Sequence, residues 1–417
     1  MAHRPSTGRP QPALSSAARR RELRRRTIRR RRLIGGVSAL IVVIAVAVAL
    51  ASGGSPPAHH SDSSGRLSSD TPAAPARPAH THHGALNVYA ADTASGVSSA
   101  AKGDPALVYV PNSLSNTVDV ISQRTFKIIK QFATGGLPQH VTPAWNLKTL
   151  YVDNDDGNSL TPINPRTAQP GTPIPVEDPY NMYFTPDGKY AIVVAERLER
   201  LDFRNPRTMK LVHSLSVPGC YGVDHADFSA SGRYMYASCE FNGRMIDVDL
   251  RTQRTVRTLV LNGGQASPQD VKLSPDGRVL YTADQEAGGL WEINPSTFRV
   301  TGFLKTGAGA HGLYPSRDAR VMYASNRSAG SVSVVSFKTR HVLKTWPLPQ
   351  PASPDMGGVS ADGKTLWLSG RYNSVVYAIN TQTGRLRAMI QVGQGPHGLC
   401  VWPQPGRYSL GHTGIMR

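Results

Sequence analysis

Beyond Pro143 the chain alternates apolar and polar residues in short runs, and the same arrangement returns at a nearly fixed spacing to the C-terminus. Each return carries an alternating run, a tight turn, a second run with an aromatic or aliphatic residue four places after the turn, and two further strand-like runs. The turn position falls at Leu147, Gly188, Gly232, Gly277, Ala319, Gly363 and Gly406, at intervals of 41 to 45 residues. Period-two alternation predicts β-strands, and four strands repeated at this length predict the blades of a β-propeller.

The best-kept turns explain themselves. In Thr185-Pro186-Asp187-Gly188 and Ser274-Pro275-Asp276-Gly277, proline presets φ, aspartate bonds the backbone two residues on, and glycine accepts positive φ. Leu147 and Ala319 stand where the others have glycine, so those two hairpins are expected to take other geometries. Tyr151, Ile192, Tyr236, Tyr281, Tyr323, Trp367 and Leu410 follow the turn position by four residues and are expected in the core between blades.

The last repeat stops after Gly398-Leu399-Cys400-Val401-Trp402, and strand-like runs without a partner lie far upstream at 107–112, 118–121 and 127–132. One C-terminal strand is therefore expected to complete a blade begun by the N-terminal segment, leaving no open edge. The fold predicted is all-β, a seven-bladed propeller over 105–417 closed by strands from both ends.

Composition changes most in front of the repeats. Residues 1–32 hold 12 arginines against one acid, Glu22, and residues 33–51 form an uncharged stretch rich in Val, Ile, Ala and Leu. Nineteen such residues span about 30 Å as a helix, the thickness of a hydrocarbon core. This predicts a basic cytoplasmic tail, a single transmembrane anchor and an extracytoplasmic propeller, by the positive-inside rule. With cleavage after Ala49-Leu50-Ala51 the stretch becomes a secretory signal and the propeller is secreted.

Residues 52–104 are rich in Ser, Pro, Ala, Gly and His without an apolar period, and read as a disordered stalk. Of the formal net charge of +19, +11 sits in residues 1–32, so the basic pI is mainly a membrane signal and argues little for nucleic acid. Folding the hairpin about Ala230-Ser231 places Cys220 nearly opposite Cys239, a candidate disulfide, and leaves Cys400 as a buried thiol.

Candidate chemistry comes from the loops that enter each first strand and leave each second strand, which share one face of the ring. His140, His225, His311 and His397 recur there at nearly equivalent positions, a candidate site for Zn or Cu, against which stands the width of a seven-bladed channel. Asp270, Glu240, Arg327 and Arg371 are candidates for ligand binding on the same face. No catalytic residue is assigned, since neither a nucleophile elbow nor a phosphate loop is present.

Tyr109-Val110-Pro111-Asn112, Asn116-Thr117-Val118-Asp119-Val120-Ile121, Ser274-Pro275-Asp276-Gly277-Arg278-Val279-Leu280-Tyr281 and Gly395-Pro396-His397-Gly398 resemble the YVTN-type β-propeller repeat family, the YncE-like group of exported bacterial proteins. The resemblance covers 106–417 and implies an exported ring-shaped scaffold, some relatives being implicated in binding nucleic acid or other partners. The function expected is a membrane-anchored binding module at the cell surface, with a cell-wall, surface-polymer or protein partner. The alternative is a metal-binding protein or metal-dependent enzyme, lyase- or lactonase-like, with a histidine-lined site at the channel mouth.

Overall fold

The computed structural model describes residues 86–417. Among the described residues the strands make seven sheets, six of four strands and one of five, all antiparallel between neighbours. The innermost strands are Pro138–Pro143, Asn181–Phe184, Val223–Phe228, Pro268–Leu273, Ala310–Pro315, Pro354–Val359 and Cys400–Trp402. Each is buried along nearly its whole length, while outermost strands such as Leu211–Ser216 are exposed on both faces. A strand walled in by neighbouring blades must be apolar or hydrogen-bonded throughout, and a rim strand need not be.

The ring closes through both ends of the repeat array. Cys400–Trp402 is the innermost strand of the blade whose other strands are Leu107–Asn112, Thr117–Ser122 and Ile128–Ala133, with Leu107 opposite Trp402 and Tyr109 opposite Cys400. Gln123 Nε2 bonds both Leu107 O and Trp402 O, tying the two chain segments together. Blade packs on blade through the second-strand aromatics: Trp367 stacks on Phe126 of the closing blade, and Tyr236 on Phe298 of its neighbour.

The hairpin turns of the first six repeats keep one geometry. Ser274 Oγ donates to Asp276 Oδ1 at 2.6 Å and Gly277 N to Ser274 O at 2.9 Å, and the same contacts recur at Ser360 and Asp362. Leu147 and Ala319, expected from their side chains to take other geometries, keep this one. They adopt φ of 61° and 53°, beside 69° at Gly277, because the surrounding hydrogen bonds fix the turn whatever residue occupies it.

The segment in front of the ring departs from the stalk expected there. Tyr89 is buried and its hydroxyl donates to Leu273 O at 2.7 Å; Asp92 pairs with Arg317; Val97 bridges Pro405 and Gly406; Ala101 is fully buried. Residues 86–104 therefore pack on the propeller, held by side-chain contacts to distant residues that composition could not reveal. Gly406 likewise makes no hairpin. After Trp402 the chain turns into a tail, 403–417, whose Ser409 and Met416 pair with each other and whose Gly411 pairs with Tyr183.

The basic tail at 1–32, the membrane helix at 33–51 and the stalk up to residue 85 lie outside the described residues. Among the described residues no helix is long and apolar enough to cross a membrane, the one helical piece being a three-residue turn at Asn262–Gly264. The single-pass anchor is thus without structural support, and with it fall the readings built on it: the membrane as partner, the membrane location and the anchored binding module.

Cys220 and Cys239 form a disulfide, with Cα atoms 4.9 Å apart across the start of one blade, and Cys400 is a buried free thiol.

Candidate metal and ligand site

Five innermost strands share an irregularity that builds the site. Pairing with the second strand slips between Pro138 and Val141, Val223 and Ala226, Pro268 and Val271, Ala310 and Leu313, and Pro354 and Gly357. Each slip is a β-bulge, which frees two residues from strict alternation and re-aims their side chains. The freed pairs are Gln139-His140, Asp224-His225, Gln269-Asp270, His311-Gly312 and Asp355-Met356. They stand at the end of the strand away from the hairpin turn, on the face where Arg327 and Arg371 also lie.

The tail fills the channel from the opposite, turn-bearing face. Tyr408 stacks on Trp145, Phe184 N donates to Leu410 O at 2.9 Å, and His412 N donates to Met182 O at 2.8 Å. Arg417 Nη2 reaches Asp227 Oδ1 at 2.7 Å, while its guanidinium lies over the Tyr89 ring. This path carries His412 up to the level of the bulges. The width of the ring, which weighed against a shared ion, is removed by the chain's own tail.

Five buried histidines are consequently in mutual contact. The His140 ring lies 4.8 Å from that of His397, 5.1 Å from His412 and 5.5 Å from His225, and His225 lies 4.8 Å from His412 and 6.0 Å from His311. They divide into two groups. His140, His225 and His412 each offer a ring nitrogen within 4.8 Å of the others, and His311, Asp355 and His397 form a second set of the same kind.

Neighbours settle what each group carries. His140 Nδ1 lies 2.8 Å from Tyr180 O; a carbonyl only accepts, so Nδ1 holds the proton and Nε2 the lone pair. Asn181 meets His412 Nδ1 with Nδ2 at 3.1 Å and Oδ1 at 3.4 Å, so its amide serves either tautomer. His225 Nδ1 sits 2.7 Å from Asp224 Oδ1, and the Nε2 atoms of His225 and His412 make no hydrogen bond. Burial holds His412 well below the ordinary histidine range, and the imidazole is neutral at pH 7. At His225 burial acts downward too, but Asp224, with Asp270 and Glu240, outweighs it and raises the pKa.

The second group is governed by arginine. Asp355 Oδ1 accepts from Arg327 Nε at 3.0 Å and lies 3.1 Å from His311 Nδ1; its Oδ2 is 3.7 Å from His397 Nε2 and 3.9 Å from Arg371 Nε. Arg327 also bonds Gln285 Oε1 at 3.0 Å. Burial, then the arginines, hold His311 and His397 well below their usual range.

The structure thus brings His140 and His225 together, and His311, His397, Arg327 and Arg371 together, while Glu240 is half-buried beside them. Asp270 joins neither group: its carboxylate accepts from Val271 N and Leu313 N, both at 2.8 Å, and buckles adjacent blades. Two members were missed from sequence. Asp355 was hidden by the bulge, because each repeat was read at one position where two residues point inward. His412 sits beyond the last repeat in Gly411-His412-Thr413-Gly414, and nothing in the period marks it.

Comparison with known proteins agrees with the architecture. The YNCE-like beta-propeller family pattern matches residues 83–405. A curated relative, uncharacterized protein YncE of Salmonella typhi, is 27% identical over 136 residues, which is 32% of this chain and 37% of that relative. The chain spans little more than a third of the length of that relative in the match. Among solved structures, a functionally unknown protein of Desulfotomaculum acetoxidans superposes with a TM-score of 0.59 at 14% identity, over 71% of this chain and 98% of its own. A chain of Kuenenia stuttgartiensis hydrazine synthase gives 0.53 at 18% identity, over 70% and 93%. At these identities the likeness is one of fold.

Proposed function

The chain belongs to the YNCE-like beta-propeller family, and we propose that on this scaffold it is a metal-binding protein whose ion is held by His140, His225 and His412. The observation that carries the reading is three buried imidazoles with ligand atoms within 4.8 Å of one another, two of them with an Nε2 that no protein group satisfies. Donors sharing one zinc ion at 2.0–2.1 Å are about 3.4 Å apart, so the rings need to draw together by roughly 1 Å. Three nitrogen donors suit Zn or Cu better than Mg or Ca.

The surrounding charge favours a cation. Asp224 sits behind His225, an arrangement in which a carboxylate orients a ligating imidazole and raises its basicity. Asp270 and Glu240 add negative potential at the same ring. A three-histidine set leaves a coordination position open, so a bound ion would supply a Lewis acid or an activated water to a ligand. Asn181 and Tyr180 O fix the imidazoles, and the tail excludes water from below. This favours the metal-dependent reading over a bare scaffold.

Elemental analysis of the full chain, prepared without tag or chelator, beside His412→Ala, is the test. About one ion per chain in the parent and none in the variant is the expected result. A chain that takes up neither Zn nor Cu on reconstitution sinks the proposal.

A further inference from the structure

The two groups of ligating side chains are alike in geometry and opposite in electrostatics. Around His225 the charged neighbours are Asp224, Asp270 and Glu240, with Lys272 paired to Asp270 and near His412. Around Asp355 stand two guanidiniums, Arg327 and Arg371, with Glu240 near Arg327. Asp355 Oδ1 is already engaged by Arg327 and His311, and although Oδ2 accepts no hydrogen bond, a cation placed there meets two like charges.

Arg371 is the member left short. Arg327 spends its donors on Asp355 and Gln285. Arg371 has Asp355 at 3.9 Å through Nε, and its Nη1 is buried with no hydrogen-bond acceptor. A buried guanidinium N–H without a partner is costly, and its natural partner is an oxyanion. Burial and the neighbouring Arg327 push its pKa below the usual value, as expected of a cation whose counter-charge is incomplete.

Arg371 is also placed to meet something from outside. Its side chain is 23% exposed, and the next residue, Tyr372, is 69% exposed, with Arg327 5.8 Å from its ring. The loop that carries both leaves the second strand at Gly370, opposite Pro354, at the end of the channel away from the tail. Asp355 Oδ2 lies between Arg371 Nε at 3.9 Å and His397 Nε2 at 3.7 Å, and the His397 ring is 4.8 Å from that of His140. Arg371, partly exposed, therefore adjoins the three-histidine group through Asp355 and His397.

We infer that Arg371, backed by Arg327, is the receptor for a carboxylate on a small acid that also coordinates the metal. This rests on the proposed ion among His140, His225 and His412, and it assigns the Asp355 group to anion recognition and not to a second ion. Arg371 pairs with the carboxylate, Asp355 sits between the two guanidiniums, and His397 joins this group to His140. The ligand class is a small metal-coordinating carboxylic acid.

Calorimetric titration of oxalate into the zinc-loaded full chain tests this, with zinc content measured on the same samples. The expected result is one-to-one binding, weakened at least tenfold in Arg371→Gln with zinc content unchanged, and partly restored in Arg371→Lys, which keeps the charge but not the fork. Equal oxalate affinity in the parent and Arg371→Gln overturns the proposal. So do two zinc ions per chain of which one is lost in Asp355→Asn, since the Asp355 group then holds a cation. If no zinc loads but oxalate still binds in an Arg371-dependent way, the metal reading fails and the carboxylate receptor stands.

Discussion

His225 turns its Nδ1 to the carboxylate of its own chain neighbour, Asp224, 2.7 Å away, with both side chains fully buried. The contact exists because a bulge lets two consecutive residues face inward together. Replacing Asp224 by Asn removes the negative charge while keeping the shape. Zinc affinity is expected to fall 10- to 100-fold, with the thermal midpoint of the metal-free protein little changed. Competition with a chromogenic chelator measures the first and differential scanning fluorimetry the second.

Arg417 anchors the tail that delivers His412. Its bond to Asp227 is charge-assisted and buried, though Asp227 keeps the backbone N–H groups of Phe228 and Leu273 when the guanidinium is gone. Arg417→Gln is therefore expected to cost about 2 kcal/mol of stability, read from urea unfolding. It should also make the segment after Trp402 more susceptible to limited proteolysis and weaken zinc binding in step. Weakened stability with unchanged zinc affinity shows the tail's anchorage and the ion to be independent.

Ala319 holds a left-handed conformation, φ 53°, that glycine takes without strain. Relief of that strain exceeds the extra chain entropy glycine loses on folding, and Ala319→Gly should stabilise the protein by about 0.5–1 kcal/mol. Leu147→Gly, with a similar φ of 61°, is expected to destabilise because the Leu147 side chain is buried in a core cluster. Urea midpoints of the two variants should move in opposite directions.

Burial raises the Asp92 pKa from 3.8 to about 6, although Arg317 pulls it the other way. The folded chain then binds this proton more readily than the unfolded chain does between about pH 4 and 6, so for this group stability rises as pH falls through that window. The full effect is about 3 kcal/mol at most. Asp92→Asn should flatten the difference in urea midpoint between pH 4.5 and 7.5, and Arg317 retains the carbonyls of Val359 and Ser360. An identical pH slope in parent and variant refutes the assignment.

The repeat made the ring legible because each blade solves the same packing problem with the same spacing. Tyr236 and Trp367 could be placed between blades, and Leu107 to Ala133 could be joined to Trp402, from alternation and turn chemistry alone. His140, His225, His311 and His397 could be named for the same reason. What the period could not show was anything that breaks it. Asp355 is displaced by a bulge, and His412 arrives on a tail outside the array. Tyr89 and Asp92 lie in a segment whose composition suggests solvation, and their partners Leu273 and Arg317 are some two hundred residues away.

The closing blade also sets a timetable for synthesis. Trp402 bonds Asp104 across 298 residues of chain, and the strands from Leu107 to Ala133 lack their innermost partner until Cys400–Trp402 has been made. At 5–20 residues per second that wait is about 15–60 s, during which the blade's strand edge has no partner. The blade translated first is the last to be completed, and a ribosome that stalls before residue 400 leaves a molecule open at its oldest edge.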